Sequence, residues 1–294
     1  MLALPAGAQA RALLVAGNTP ELPLVEVSND RVVSRIPLPA PASAVAVSPF
    51  GGRGYAAAGN LVIEVDIDNR AETRRVALPG PAITALAVGR DGRLYALQGD
   101  RVTTVEPAGL TVTGQIALGG QGVALALGRQ SGGRAAVVRV DGRIAMLALS
   151  ERRLLRSVRV PGARGVAVDG AGRTWVSARG VLRLIQPGAA KVSESKLDLP
   201  AGVGGALALS PRDGRLAVGA VSGRSGGAVV DLQTRTVRRL VTGAGPGTPA
   251  WNLDATRLYY ADGGGASISI VGAASRRRLD VVGLAGLSPF SVVE

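Results

Sequence analysis

The side chains best placed to do chemistry in this chain lie where an otherwise regular pattern is interrupted. Five polar residues stand out: Asn18 and Glu21 in Asn18-Thr19-Pro20-Glu21-Leu22-Pro23, Arg224 and Ser225 in Val221-Ser222-Gly223-Arg224-Ser225-Gly226-Gly227, and Asp262 in Asp262-Gly263-Gly264-Gly265-Ala266. An amide, two carboxylates, a guanidinium and a hydroxyl offer charge and hydrogen bonds to a ligand. They do not make a nucleophile with its base, because the chain contains no histidine and no cysteine. That composition removes thiolate and imidazole catalysis, disulfides, and zinc or haem held by His or Cys. No catalytic residue, metal site or cofactor is therefore assigned. Acid–base work would fall to carboxylates, Arg, Lys, Tyr and hydroxyls, and a metal-assisted reaction would need oxygen ligands converging from several parts of the fold.

Other motifs reduce to turns. Gly243-Ala244-Gly245-Pro246-Gly247 has alternating glycines, but no helix follows to supply an anion-binding N-terminus. Asp66-Ile67-Asp68-Asn69 has the acid spacing of a calcium loop without its downstream Gly and Glu, and Asp231 occupies the equivalent turn elsewhere. Asp91-Gly92 and Asp141-Gly142 read as hairpin turns.

What must position the five residues is a repeat. Its unit is a short apolar strand of small residues, a Gly-containing turn, and a second strand that often carries an aromatic. Copies start at Ser43 (SAVAVSPFGGRGYAAAG), Thr84, Val123, Gly165, Ala206 (ALALSPRDGRLAVGA) and Pro249. Aligned on the small residue of the first strand, they fall at Ala46, Ala87, Ala126, Ala167, Ala208 and Ala250, at intervals of 41, 39, 41, 41 and 42. A period this regular marks a repeat array. Each copy continues with two further β-rich segments, such as NLVIEVDI from Asn60 and ETRRVALP from Glu72. Four short strands per repeat make a β-propeller blade.

The two ends complete the count. Arg11 to Leu38 supplies the second, third and fourth strands of a repeat that lacks its first, and Leu287 to Glu294 places Val292 one more interval of 42 after Ala250. The expected fold is thus all-β, a seven-bladed propeller of four-stranded blades whose C-terminal strand completes the N-terminal blade. Residues 11–294 form one domain. Met1 to Ala10 precede it and end in Ala8-Gln9-Ala10, the small-x-small pattern of a signal-peptidase site. They lack the basic n-region and long apolar stretch of an intact signal, so they read as a signal-peptide remnant or, alternatively, a plain N-terminal tail, and an exported, secreted or periplasmic protein is the expectation.

In this arrangement the loops between second and third strands emerge on the same face as the connections between blades. The three long loops belong to blades one, six and seven, which ring closure makes neighbours. Asn18, Glu21, Arg224, Ser225 and Asp262 are accordingly the expected contacts for a protein or small-molecule partner on that sector. The aromatics Tyr55, Tyr95, Trp175 and Tyr259 share one second-strand register, which implies packing between blades, and Trp251 implies core filling or the floor of a central pocket.

The formal charge is +13, from 34 basic and 21 acidic residues, and all but Lys191 and Lys196 of the basic ones are Arg. Arg74 and Arg75, Arg152, Arg153, Arg156 and Arg159, Arg235, Arg238 and Arg239, and Arg276 to Arg278 all lie at or just before a fourth strand. Charge on an outer strand blocks edge-to-edge pairing, so edge protection explains these clusters without a ligand. With charge read as spread around the perimeter and only 3% aromatics, nucleic acid is not an expected partner. No apolar run approaches the ~18 residues that span a bilayer, and a monomer is expected.

The AVAVSP or ALALSPRDGRLAVGA core, the aromatic second strand and segments such as Val62-Ile63-Glu64-Val65-Asp66 resemble the YVTN/YncE-like bacterial propellers, and more loosely the NHL and lactonase-type propellers. The likeness covers essentially the whole chain but rests on turn and core residues. The naming tetrapeptide survives only in altered form, as Leu94-Tyr95-Ala96-Leu97 or Thr174-Trp175-Val176-Ser177. It implies an exported scaffold that binds a ligand or protein. The enzyme alternative is a lactonase-type or other hydrolase using carboxylates at the channel mouth.

Overall fold

The structure is a computed structural model that describes residues 12–128, 133–212, 214–221, 226–240, 246–262, 266–275, 277–284 and 289–293. Within them 28 strands form seven antiparallel sheets of four, arranged as a seven-bladed β-propeller. Six blades are contiguous in sequence. The remaining one takes its innermost strand, Pro289–Val293, from the C-terminal end and its other three, Ala12–Gly17, Glu21–Glu26 and Arg31–Pro37, from the N-terminal end. Val292 pairs with Val15 and Val293 with Leu14, which is the closure the repeat spacing predicts. We number this split blade 1 and the others 2 to 7 in chain order.

The repeat positions acquire a physical meaning in the cross-strand register. Ala46 pairs with Tyr55, Ala87 with Tyr95, Ala167 with Trp175 and Ala250 with Tyr259. A small residue on the crowded innermost strand leaves room for the large ring beside it. All four rings are buried, and the apolar clusters run across blade boundaries: Tyr259, Ile268 and Ile270 of blade 7 pack with Leu13, Val15 and Val25 of blade 1. Trp251 is likewise buried, donates from Nε1 to the Ala208 carbonyl at 2.9 Å and lies under the Arg215 guanidinium, so it joins blades 6 and 7 as core.

Arginine supplies a second tie between blades. On blade 2, Arg74 of the outermost strand (Ala71–Ala77) meets the buried Glu64 with Nη2 2.9 Å from Oε2, and it donates to the carbonyls of Pro107 and Ala108 on blade 3 at 2.6 Å each. Arg257 of blade 7 reaches the Asp30 carboxylate and the Val27 carbonyl of blade 1. The Arg74 cluster therefore does sit on an outer strand as expected, but it fastens the next blade rather than only guarding an edge. Glu64→Gln removes the counter-charge while keeping the shape. It is expected to cost about 1–3 kcal/mol, read as a lower melting temperature against a Glu72→Gln control, which removes the less buried partner of Arg75 on the same strand.

Candidate functional site

The antiparallel order puts the turns joining first to second strands on one face of the ring, and those joining second to third strands on the other. Of the residues expected to bind on the second face, Asn18 is exposed in the turn after the second strand of blade 1. Glu21 begins the third strand, where its carboxylate accepts from Arg35 Nη1 at 3.0 Å. Arg35 Nη2 in turn donates to the Leu284 carbonyl of blade 7 at 2.9 Å, so Glu21 anchors a tie between blades. The Asp262 main chain closes the second strand of blade 7, opposite Ser267. Arg224 and Ser225 lie outside the described residues, as does the glycine-rich 241–245 segment.

A concavity lies on the other face. The first-to-second turns surround the axis, and between them opens a central cavity of about 1180 Å³. Its floor is apolar, from Val47, Val88, Leu127 and Leu209 at the ends of the innermost strands. Its rim holds Arg90, Arg173 and Arg212, the hydroxyl residues Ser48 and Ser210, and Phe50. Phe50 and Leu253 also line it and are 68% and 48% exposed, so the opening presents two large apolar side chains to whatever enters it.

Each rim turn is built the same way. The residue two places after the ring alanine donates its N–H to the carbonyl of an arginine that opens the second strand: Ser48 to Arg53, Gly89 to Arg93, Asp169 to Arg173, Ser210 to Arg215. Gly128 and Asn252 do the same to Arg134 and Arg257. An arginine thus occupies one repeat position in six blades, a regularity present in the aligned copies as Gly-Arg or Thr-Arg. Of the six, Arg173 lines the cavity, whereas Arg53 meets Glu64, Arg257 meets Asp30 and Arg215 donates to the Ala255 carbonyl. The regularity is legible in the sequence, whereas loop length marks the opposite face.

The polar groups of the rim are held firmly. Asp169, 5% exposed, is the sole carboxylate among the described residues lining the cavity. Oδ1 accepts from the Ala171 and Arg173 N–H groups, and Oδ2 from Arg173 Nε at 2.7 Å and Trp175 Nε1 at 3.1 Å. Arg212 donates from Nε to the Leu253 carbonyl at 3.0 Å and from Nη2 to Asp254 at 2.9 Å, fixing its position between blades 6 and 7. Behind Arg90, burial holds the Tyr95 phenol well above the usual tyrosine range. Its hydroxyl donates to Asp91 at 2.9 Å and braces that turn as a neutral group. Among the described residues no three His, Cys, Asp or Glu side chains converge to hold a metal ion. With an apolar floor and a cationic rim, the cavity can seat the apolar body of a ligand and hold an anionic end at its mouth. The chain matches no protein-family model and no curated protein.

Proposed function

We propose that the protein is a binding scaffold that takes an amphipathic anion, free or as the acidic end of a larger partner, into the central cavity. The carrying observation is the combination of a floor of Val47, Val88, Leu127 and Leu209 with guanidinium groups at the rim and two exposed apolar side chains. A hydrolase acting through carboxylates at the mouth gains no support. The oxygens of Asp169 are taken by four donors, and no second carboxylate faces it among the described lining residues. The repeat and the Ala8-Gln9-Ala10 triplet support kinship with the exported YVTN/YncE-like propellers.

Anilinonaphthalene sulfonate, an apolar body with one anionic group, is a direct probe. The parent protein is expected to bind it saturably with a rise in fluorescence. Phe50→Ala and Arg212→Glu should each weaken binding by roughly tenfold, on the order of one lost apolar side chain or one charge contact. Non-saturable binding, or equal affinity in both variants at unchanged melting temperature, would refute the cavity as the site.

A further inference from the structure

The charge of the molecule lies on one side of the ring. Residues 122–240, which make up blades 4, 5 and 6, hold 20 of the 34 basic and 7 of the 21 acidic residues, an excess of 13 that equals the net charge of the whole chain. The other four blades, with the terminal segments, hold 14 of each and are neutral. The reading of evenly spread charge is therefore wrong, because clusters at equivalent repeat positions differ in the acids that accompany them.

Outer strands of equal length show the difference. The outermost strand of blade 2, Ala71–Ala77, has seven residues and two arginines. Arg74 is paired with Glu64, and Arg75 with Glu72 at 2.6 Å. In blade 1, Arg35 of Arg31–Pro37 is paired with Glu21. The outermost strand of blade 4, Arg153–Arg159, also has seven residues. Arg153 meets Glu151, but Arg156 and Arg159 have no acidic partner among the described residues. Nε of Arg156 is buried without a hydrogen-bond partner. Arg159 lies directly across from Arg143, and one carboxylate, Asp141, serves both Arg143 and Arg139. In the adjoining blade 5, Arg183 lies directly across from Lys196. Facing like charges weaken a sheet, so this side of the ring holds cations at a cost in its own stability.

Among the described residues Arg153–Arg159 pairs only with Arg143–Ala148, which leaves its outer main-chain groups as an open sheet edge. Its charge repels a second copy of this chain and attracts an extended chain of opposite sign. A stacking reader of bases is disfavoured: the only aromatic residue in blades 4 to 6 is Trp175, which is buried. A flat anionic bilayer is disfavoured as well, since the arginines lie along the strand from one face of the ring (Arg152, Arg153) to the other (Arg159). We infer that the outer edge of blade 4 is a docking strand for an extended acidic polypeptide segment, which adds as a fifth strand and places carboxylates against Arg156, Arg159 and Arg143.

The test uses the full chain and a labelled seven-residue peptide, Glu-Val-Glu-Glu-Val-Glu-Glu, followed by fluorescence anisotropy. Binding is expected to weaken with salt and to fall by roughly tenfold when glutamine replaces glutamate or in the Arg156→Glu, Arg159→Glu double variant. The Arg156→Gln, Arg159→Gln variant serves if the charge reversal does not fold. Methylating alternate peptide nitrogens separates strand addition from charge alone: one register should abolish binding and the other leave it. No binding, equal binding by the glutamine peptide, indifference to both methylated registers, or unchanged binding by the folded variants overturns the proposal. Displacement of the peptide by an oligothymidylate of equal charge at lower concentration also overturns it, and assigns the surface to nucleic acid instead.

Discussion

Deleting residues 287–294 is expected to lower the melting temperature by about 10 °C or more, or to abolish the cooperative transition. The deletion removes Pro289–Val293, the innermost strand of blade 1, and with it the pairing of Leu14, Val15 and Ala16 to Val293, Val292 and Ser291. Leu14 and Val15 are fully buried, and the strand lies beside the innermost strands of blades 2 and 7. Each large aliphatic side chain returned to water costs ~1.5–3 kcal/mol, against a total stability of roughly 5–15 kcal/mol. Ring closure would also be lost, leaving an open edge on Ala12–Gly17 at the axis. Differential scanning calorimetry of parent and deletion decides the matter, and an unchanged transition would show that closure does not depend on this strand. Transplanting the eight residues ahead of Ala12 through a short glycine turn should restore the transition, because the pairing depends on neighbourhood in space rather than on chain order.

That closure was legible because strand register is set by residues with local reasons to be where they are. Gly52, Gly92 and Gly172 adopt left-handed conformations in the turns, and a small residue faces an aromatic one across the first pair of strands. Turn and core chemistry therefore carry the period, the blade count and the split blade into the linear sequence. The cavity was less legible for the same reason. It is made by the most regular turns of the repeat, whereas loop length singles out the opposite face. Phe50 and Leu253 look like ordinary strand-flanking apolar residues until the ring places them around one opening.

Charge shows a further limit. Arg74, Arg156 and Arg238 occupy outer strands alike, and their positions are correctly read from the repeat. Whether such an arginine is satisfied depends on a residue on another strand or another blade: Glu64 for Arg74, and no acidic group among the described residues for Arg156. A repeat period locates a side chain, but pairing is decided by the few positions at which blades differ.

The second large effect follows from two glycines on innermost strands: Gly165, where blade 5 meets blade 6, and Gly205, where the first strand of blade 6 meets the second strand of the same blade. A Cβ on Gly165 would collide with the Gly205 carbonyl oxygen and come within 3.0 Å of the Ala206 Cα, while one on Gly205 would collide with the Ala220 carbonyl oxygen. The obstacles are main chain, so no side chain can swing aside. Ser177 locks the contact by accepting from the Gly165 N–H at 2.9 Å and donating to the Gly205 carbonyl at 2.6 Å. Gly165→Ala and Gly205→Ala are each expected to destabilise the protein by about 2–4 kcal/mol, because the strands must separate along their length. Gly283→Ala, with nothing within 4 Å of the added carbon, should stay within roughly 0.5 kcal/mol of the parent. Chemical denaturation of the three variants gives the comparison, and equal stability would show that the inner strands can relax apart. Gly205 shares its strand, Val203–Leu209, with the cavity-lining Leu209. Pushing this strand away from the second strand of blade 6 should therefore also weaken binding of anilinonaphthalene sulfonate in Gly205→Ala, while Gly283→Ala binds as the parent does.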